Sequence, residues 1–374
     1  MSIPFNKISV EGDELNFIRK AIKSGHIKGD GHYTKKCSEL ISKTLNVKKT
    51  LMTTSCTHAL EMCALLLNIR KGDEIIIPSY TFVSTVNSFV LRGAKPIFID
   101  IRSDTLNIDE TLIEERINGR TKAIIVVHYA GVSCNMDYII DVSKKYNVPI
   151  IEDNAHGIFG KYKNKYLGTF GLFSTQSFHE TKNFTCGEGG ALIINSKEYI
   201  NRAEVLREKG TNRSQFIRGE IDKYSWVDKG SSYLISDILS AFLFGQLQNK
   251  NQIFNKRRRI WEYYFENLKK WAESNNIRLP YVPNYCEQTY HIFYLIFPSK
   301  KTRNSFIKYL KTNKISASFH YTPLHSSDMG KLYHDENIRL DVSQTISDCL
   351  VRLPLFNDLN IKSIDFNIFY EFKI

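Results

Sequence analysis

The first half of the chain alternates between short runs of β-branched residues and amphipathic segments of about ten residues. Apolar residues recur at helical spacing in segments 58–69, 111–117 and 136–147, and apolar runs such as 123–127 and 148–151 lie between helical segments. Strands that are apolar on both faces are typical of a parallel sheet covered by helices. The pattern therefore predicts an α/β layer sandwich built on a mostly parallel, doubly wound sheet.

The pattern changes near residue 240, after which strand-like runs become rare. One long helical pattern is followed by further short elements. In order, the sequence predicts a helix over 235–274, a strand over 290–297, a helix over 301–313, a strand over 315–323, and a helix leading into a loop over 342–356. We therefore predict a large α/β domain over residues 1–240 and a small α+β domain over residues 241–374, joined by the long helix.

Composition narrows the class of protein. The chain has 374 residues, of which 42% are hydrophobic and 24% are charged, as in ordinary soluble proteins. No apolar run approaches the length of about 18 residues that a membrane helix needs, and the N-terminal segment lacks the apolar centre of a signal peptide. We therefore expect a cytoplasmic protein that does not associate with a membrane.

Cysteine usage predicts reduced thiols, and the net charge is compatible with more than one kind of anionic ligand. The seven cysteines are odd in number and never form a CxxC pair, which predicts free thiols and no metal site. The net charge is +12, but its densest run, at 255–261, is typical of a solvated helix face and no nucleic-acid-binding motif accompanies it. A small polyanionic substrate explains the charge as well as a nucleic acid does.

Four unusual stretches fall where predicted strands end, which is where open α/β sheets bind ligands. In the first, "TTSCTHALEM", Thr57 and the amides of Thr57 and His58 lie at the start of a helix and could bind an anion. An ordinary helix cap explains this stretch as well. In the second, "PSYTFVST", Phe82 follows a strand and could stack on a flat ligand, although a core position is equally compatible with it.

The third and fourth stretches carry charge. Asp153 in "IIEDNAHG" follows a fully apolar strand and needs a positive partner, with His156 beside it, unless it only caps a helix. Ser177 and Lys182 flank a strand-to-turn segment, "SFHETKNFTCGEGGA", whose three glycines suit a close approach of the backbone to another group. Lys182 could be a solvated turn residue, a phosphate ligand or a nucleophile.

Taken together, the four stretches predict a site for pyridoxal 5′-phosphate (PLP). A phosphate would sit on a helix N-terminus, an aromatic wall would cover the ring, an aspartate would pair with the ring nitrogen, and a lysine would form a Schiff base with the aldehyde. These parts occur in the chain order of the aspartate-aminotransferase type of fold, known as fold type I.

The same stretches, with "GDGHYTKKC", "NIDETLIE", "VHYAGV", "REKGTNRSQF", "GSSYL", "FHYTPLH" and "RLPLF", resemble the DegT/DnrJ/EryC1/StrS family of sugar aminotransferases along nearly the whole chain. Within that family the chain is most similar to the dTDP-4-dehydro-6-deoxyglucose aminotransferases. The resemblance implies transfer of an amino group from L-glutamate to the C4 ketone of dTDP-4-dehydro-6-deoxy-D-glucose, for the synthesis of a surface polysaccharide such as a lipopolysaccharide O-antigen. It also implies a homodimer with shared active sites.

The resemblance implies roles for individual residues. Lys182 would attach to PLP, Asp153 would hold the ring nitrogen and Phe82 would stack on the ring. The remaining cofactor contacts and the substrate contacts are assigned in the same way: Ser177, Thr57 and His58 to the phosphate, His156 beside the ring, Ser232 to the phosphate of the neighbouring subunit, and Lys209, His320 and Tyr321 to the substrate. Ser232 stands where many members have an asparagine reaching across from the neighbouring subunit, and His156 stands where similar members often have glutamine.

Single sequence features argue against two other enzyme classes that use α/β folds. A dehydratase of the same fold would have histidine in place of Lys182, and a nicotinamide-dependent oxidoreductase would need a GxGxxG turn that "TTSCTHA" does not provide. A relative that aminates C3 of a 3-keto nucleotide sugar, and a non-enzymatic PLP-binding sensor, remain as alternatives. A sensor would be expected to lack the lysine or to carry an added DNA-binding domain.

Overall fold

The computed structural model describes residues 2–373 and contains a large α/β unit followed by a smaller α+β unit. The helices are α1 (Glu14–Lys23), α2 (His32–Leu45), α3 (Cys56–Leu66), α4 (Val83–Val90), α5 (Met136–Tyr146), α6 (Ile200–Arg207), α7 (Arg213–Ile217), α8 (Asp237–Gln248), α9 (Lys250–Ser274), α10 (Lys300–Thr312), α11 (Asp328–Lys331), α12 (Asp341–Cys349) and α13 (Asn367–Tyr370). The strands are β1 (Lys49–Thr53), β2 (Glu74–Pro78), β3 (Lys95–Ile99), β4 (Thr121–Val127), β5 (Ile150–Asp153), β6 (Lys161–Tyr162), β7 (Lys165–Tyr166), β8 (Phe173–Ser177), β9 (Gly190–Ile194), β10 (Cys286–Glu287), β11 (Phe293–Ile296) and β12 (Leu350–Leu353).

The predicted α/β sandwich with a mostly parallel sheet is confirmed. Seven strands pair in the order β1-β9-β8-β5-β4-β2-β3. The ladders from β3 through β2, β4 and β5 to β8 are parallel, and only β9 runs antiparallel to its neighbours. Buried apolar clusters cover both faces of this sheet, as the unbroken apolar strands predict.

The small unit is built around a two-stranded antiparallel sheet, β11 with β12, packed against α9 and α10. Its core is rich in aromatic rings, and Tyr264, Phe293 and Phe306 are fully buried there. A further small sheet, β10-β6-β7, joins a segment of the second half of the chain to the large unit.

Several local predictions are wrong. Segment 111–117 forms two consecutive short 3₁₀ turns, Glu110–Leu112 and Glu114–Arg116, instead of one α-helix, and the side chain of Asp109 caps the first of them by accepting a hydrogen bond from the N–H of Thr111. Segment 315–323 is not a strand, since its residues pair only at isolated positions. The loop predicted near 350–353 is strand β12, which has β11 as its partner.

The long helix predicted over 235–274 is two helices that meet at Asn249. The first, α8, packs against α1 and α2 of the large unit, and the second, α9, packs in the core of the small unit. The predicted domain boundary after residue 240 falls inside α8, and it stays a prediction. No helix within residues 2–373 is long and apolar enough to cross a membrane.

Candidate active site

A pocket of about 700 Å³ lies where several parallel strands end and where the small unit meets the large one. The large unit contributes the ends of β5 and β8, the loops before α3 and α4, and the segment that follows β8. The small unit contributes His291, segment 318–322 and one residue of β12. The pocket therefore lies at the edge of the sheet where the sequence places the four unusual stretches.

Asp153 is the last residue of β5 and is buried at this edge. Its Oδ2 accepts a hydrogen bond from the Thr85 hydroxyl at 2.7 Å, and its Oδ1 accepts one from the backbone N–H of Ala155 at 3.1 Å. Burial raises the pKa of the Asp153 carboxyl, while these two donors and the charge of Lys182 oppose that rise. Within residues 2–373 no cationic side chain forms an ion pair with this carboxylate.

Lys182 projects into the pocket from a tight loop that follows β8. The backbone N–H of Lys182 donates to the carbonyl of His179 at 2.9 Å, which fixes the turn. Downstream, Gly187 has a φ of +87°, and a Cβ on Gly190 would lie 2.3 Å from the backbone of Ser55. These two glycines let the loop reverse and let β9 start directly against the first turn of α3.

The Lys182 amine is chemically unusual because burial lowers its pKa to about 8, and the nearby charge of Arg352 acts in the same direction. The carboxylate of Asp153 and the thiol of Cys56 partly oppose this shift. An amine with a pKa of about 8 is uncharged in about one molecule in ten at pH 7, far more often than an ordinary lysine. It can therefore act as a nucleophile or as a base.

The N-terminus of α3 forms one wall of the pocket, with Ser55, Cys56 and Thr57 among its lining residues. Ser55 is the N-cap, and its hydroxyl accepts a hydrogen bond from the backbone N–H of His58 at 3.1 Å. The Thr57 hydroxyl donates to Ser84 at 2.8 Å. Hydroxyl groups and the positive end of the helix dipole thus face the pocket, an arrangement that suits a phosphate.

Aromatic and imidazole rings form another part of the pocket lining. The Tyr321 hydroxyl lies 3.4 Å from Nε2 of His156, and the Tyr129 hydroxyl lies 2.9 Å from Nδ1 of His320. Burial lowers the pKa values of His156 and His320 well below the ordinary value, so both rings are neutral. The ring of Phe82, with 55% of its surface exposed, lies on the pocket wall as a free apolar face.

Arg352 is a pocket residue that the sequence analysis did not identify. It lies on β12 and lines the pocket, and its Nε is buried without a hydrogen-bond partner. Burial lowers the pKa of its guanidinium, and the tyrosines Tyr129 and Tyr321 partly oppose this. No carboxylate within residues 2–373 forms an ion pair with Arg352, so the pocket holds a cation that can accept an anionic ligand.

The structure brings most of the predicted residues together. Eight line the pocket: Thr57, Phe82, Asp153, His156, Ser177, Lys182, His320 and Tyr321. The other three do not. The His58 side chain hydrogen-bonds to Thr54 and lies against Tyr233. Ser232 and Lys209 are exposed outside the pocket of their own chain, with the Lys209 amine 3.0 Å from Glu208.

Two further residues were missed, Thr85 and His291. Thr85 is the last residue of the stretch "PSYTFVST", three positions after Phe82, and nothing in that stretch indicates that its hydroxyl donates to Asp153. His291 lines the pocket and its Nδ1 lies 2.8 Å from Oδ1 of Asn183, next to Lys182 in the chain. Arg352 had a signal in the stretch "RLPLF", because an arginine at the edge of an apolar run needs an anionic partner.

The residues present fit PLP. An unpaired buried carboxylate, Asp153, suits a protonated ring nitrogen, and an amine with lowered pKa, Lys182, suits attachment to an aldehyde. The exposed ring of Phe82 and the hydroxyls at the start of α3 suit the flat ring and the phosphate of the same molecule. The described residues contain no group of three or more His, Cys, Asp or Glu side chains that could hold a metal ion, and all seven cysteines are free.

Comparisons with known proteins agree with this geometry. The sequence profile of the DegT/DnrJ/EryC1/StrS aminotransferase family matches residues 9–366. The protein MJ1066 of Methanocaldococcus jannaschii is 35% identical over 323 residues, which cover 84% of this chain and 82% of that protein. The PLP form of Spr1654 from Streptococcus pneumoniae has a TM-score of 0.88 and 26% identity, covering 98% of this chain and 97% of that chain. The aminotransferase TlmJ from Streptoalloteichus hindustanus has a TM-score of 0.89 and 25% identity, covering 97% of each chain.

Proposed function

We propose a specific reaction for this chain, which belongs to the DegT/DnrJ/EryC1/StrS aminotransferase family and is a PLP-dependent sugar aminotransferase of fold type I. The reaction is transfer of the amino group of L-glutamate to the C4 ketone of dTDP-4-dehydro-6-deoxy-D-glucose, giving 2-oxoglutarate and a dTDP-4-amino-4,6-dideoxyhexose. The observation that carries the proposal is the pocket in which Lys182, Asp153 and Arg352 lie together, each without the ionic partner that a ligand would supply.

The cofactor contacts follow from the charges and shapes in this pocket. Asp153 keeps a proton on the ring nitrogen by pairing with it, and the hydroxyl of Thr85 keeps this carboxylate oriented. Phe82 covers one ring face, while Thr57 and Ser177 bind the phosphate at the start of α3. The chemistry that PLP supplies when bound is an electrophilic aldehyde and a ring that accepts electron density.

Lys182 has two tasks in this proposal. Its neutral Nζ would hold the cofactor by condensing with the aldehyde, with loss of water, and once the amino group of the donor has displaced it the same atom would move a proton. In the first half-reaction Nζ takes the proton from the α-carbon of glutamate. In the second it delivers a proton to the sugar carbon that gains nitrogen. A pKa of about 8 allows Nζ to hold and release this proton near neutral pH.

Arg352 binds the carboxylate of the amino donor in this proposal. The guanidinium presents two N–H edges that match a carboxylate, and it lies in the same pocket as Lys182, close enough for the two charges to affect each other. The donor's α-carboxylate is one bond from the carbon that reacts, so the amino acid would be held with that carbon near Nζ. His320 and Tyr321, next to Arg352 in the pocket, would contact the substrates.

The nucleotide sugar would bind between two subunits. The exposed positions of Ser232 and Lys209, outside the pocket of their own chain, are compatible with contacts to the partner's site. In the surrounding segment, Trp226 is 80% exposed and Tyr224 is 50% exposed, whereas Tyr233 is buried in its own chain. Exposed aromatic residues are typical of interface residues. The net charge of +12 suits the diphosphate of the sugar nucleotide, and the product would be a precursor of a surface polysaccharide.

The test is direct conversion of substrate. Purified holoenzyme is incubated with L-glutamate and dTDP-4-dehydro-6-deoxy-D-glucose, and the sugar product is examined by proton NMR. The C4 ketone carries no hydrogen, so amination at C4 creates an H4 signal, and the size of its coupling to H3 assigns the galacto or gluco configuration. No nitrogen at C4 under conditions in which glutamate bleaches the cofactor's absorbance band would refute the assigned sugar. No bleaching by glutamate would refute the assigned donor.

A further inference from the structure

The N-terminal strap, residues 2–9, is tied to both units of the protein. Ile3 lies beside Ile315 of the small unit in a parallel bridge, in which its N–H donates to the carbonyl of Lys314 at 2.8 Å and its carbonyl accepts from the N–H of Ser316 at 3.0 Å. At the other end, the carbonyl of Ser9 accepts a hydrogen bond from Gln246 of α8, in the large unit, at 3.2 Å. Both ends of the strap are therefore fixed, and the residues between them have a defined place.

Between these anchors the strap touches two elements of the active site. The centre of the Phe5 ring lies 4.9 Å from Cζ of Arg352, so the ring covers the guanidinium. The next residue, Asn6, donates from Nδ2 to the carbonyl of Glu180 at 3.1 Å, in the loop that carries Lys182. The strap thus connects the arginine from the small unit with the lysine loop from the large unit.

The contact with Phe5 explains how an arginine without an ion pair keeps one orientation. A guanidinium is planar and can stack through its face while its N–H edges stay free. Phe5 occupies a face of Arg352, and Nε on the edge has no protein partner. An aromatic ring therefore holds the cation without using the donors that a carboxylate needs.

We propose that Phe5 is a positioning residue that holds Arg352 for the carboxylate of the amino donor, and that the strap thereby contributes to donor affinity. This inference rests on the proposed role of Arg352. Phe5 does not touch the reacting atoms, and its effect acts through the orientation of Arg352. Without the ring, the guanidinium would stay charged but would adopt several rotamers. Binding of a carboxylate would then have to select one of them, at a cost in conformational entropy that weakens the affinity.

The experiment measures binding of glutarate, a dicarboxylate without an amino group, to the PLP-loaded enzyme by calorimetry. Phe5→Leu keeps an apolar side chain but removes the ring face, and we expect glutarate to bind about 3- to 10-fold more weakly. Phe5→Tyr retains the face and should bind within about 2-fold of wild type. Ile8→Ala, at an exposed position of the same strap, is the matched control and should bind like wild type.

Steady-state kinetics separates positioning from a general structural effect. Phe5→Leu should raise the KM for glutamate by a similar factor, without changing the KM for the nucleotide sugar. Equal changes in both KM values, or an unchanged affinity for glutarate, would overturn the role of Phe5. If Phe5→Leu does not fold, Asn6→Ala loosens the same strap and should give the same selective loss.

Arg352→Gln distinguishes this inference from the proposal on which it rests. Glutarate binding that is lost in Arg352→Gln but unchanged in Phe5→Leu would overturn the positioning role and retain Arg352 as the carboxylate site. Glutarate binding that is unchanged in Arg352→Gln would overturn both. Weaker binding in both variants, with the larger loss in Arg352→Gln, is the expected result.

Discussion

Replacement of Asp153 by asparagine should abolish most of the activity while leaving the fold intact. The carboxylate accepts one hydrogen bond from Ala155 and one from Thr85. In Asp153→Asn the amide oxygen can still accept from Ala155, and the amide nitrogen can donate to the hydroxyl of Thr85. The Thr85 proton can then turn to Thr81, whose hydroxyl oxygen is 3.0 Å away. The substitution therefore removes a charge and little else.

The sign of the stability change follows from the pKa of Asp153. Because burial raises that pKa in the folded protein, the ionised carboxylate costs stability at pH values above the ordinary pKa of aspartate. Asparagine carries no charge and avoids that cost. We expect the free energy of unfolding of the cofactor-free protein at neutral pH to stay within about 1 kcal/mol of wild type, or to rise.

Activity should respond in the opposite way. Removing one partner of a buried charge pair costs about 2–5 kcal/mol, and each 1.36 kcal/mol is tenfold in rate. If Asp153 pairs with the ring nitrogen, kcat should fall roughly 30- to 5,000-fold. The assay is turnover with glutamate and the keto sugar, normalised to folded enzyme, beside thermal unfolding with and without PLP. A variant whose thermal stability collapses while its rate per folded molecule is unchanged would show that Asp153 is only a structural cap.

Four further predictions concern Lys182, Arg352 and the subunit interface. Lys182→Ala should lose several decades of turnover but still bind PLP noncovalently, as detected by equilibrium dialysis; near-normal turnover with glutamate would contradict its role. The rate of PLP attachment to the cofactor-free protein should rise with pH and level off above about 8, because about half of the Lys182 amines are neutral at that pH. At the same pH only about one ordinary lysine side chain in 250 is neutral. Arg352→Gln removes a cation that lowers the pKa of Lys182, so it should move this curve to higher pH, and a shift to lower pH would refute the assignment. Mixing Lys182→Ala subunits with subunits disrupted at 230–233 should restore activity, since one intact shared site forms in each heterodimer; an active monomer in sedimentation, or no recovery after confirmed subunit exchange, would count against shared sites.

Local patterns were sufficient for the sheet and for the centre of the site. Unbroken apolar strands can only be buried on both faces, so the periodicity predicts a parallel sheet with helices on each side. Residues at or just after the carboxyl ends of neighbouring parallel strands lie at one edge of the sheet, and this predicts that Asp153, Ser177 and Lys182 share one pocket, as they do. The ends of helices and strands were less predictable. The break between α8 and α9 at Asn249 depends on the two units against which these helices pack, and β12 is a strand because β11 pairs with it.

Contacts between distant parts of the chain were decided only by the tertiary structure. Phe5 and Arg352 come from opposite ends of the sequence, and no spacing rule connects them. The same is true of Thr85, whose hydroxyl donates to Asp153 although the two residues are 68 positions apart in the sequence. Periodicity predicts which side of a helix or strand is buried, because the apolar side of a single element avoids water whatever its neighbours are. The partner of a particular polar atom depends on how several elements pack together, and that is fixed only in the folded chain.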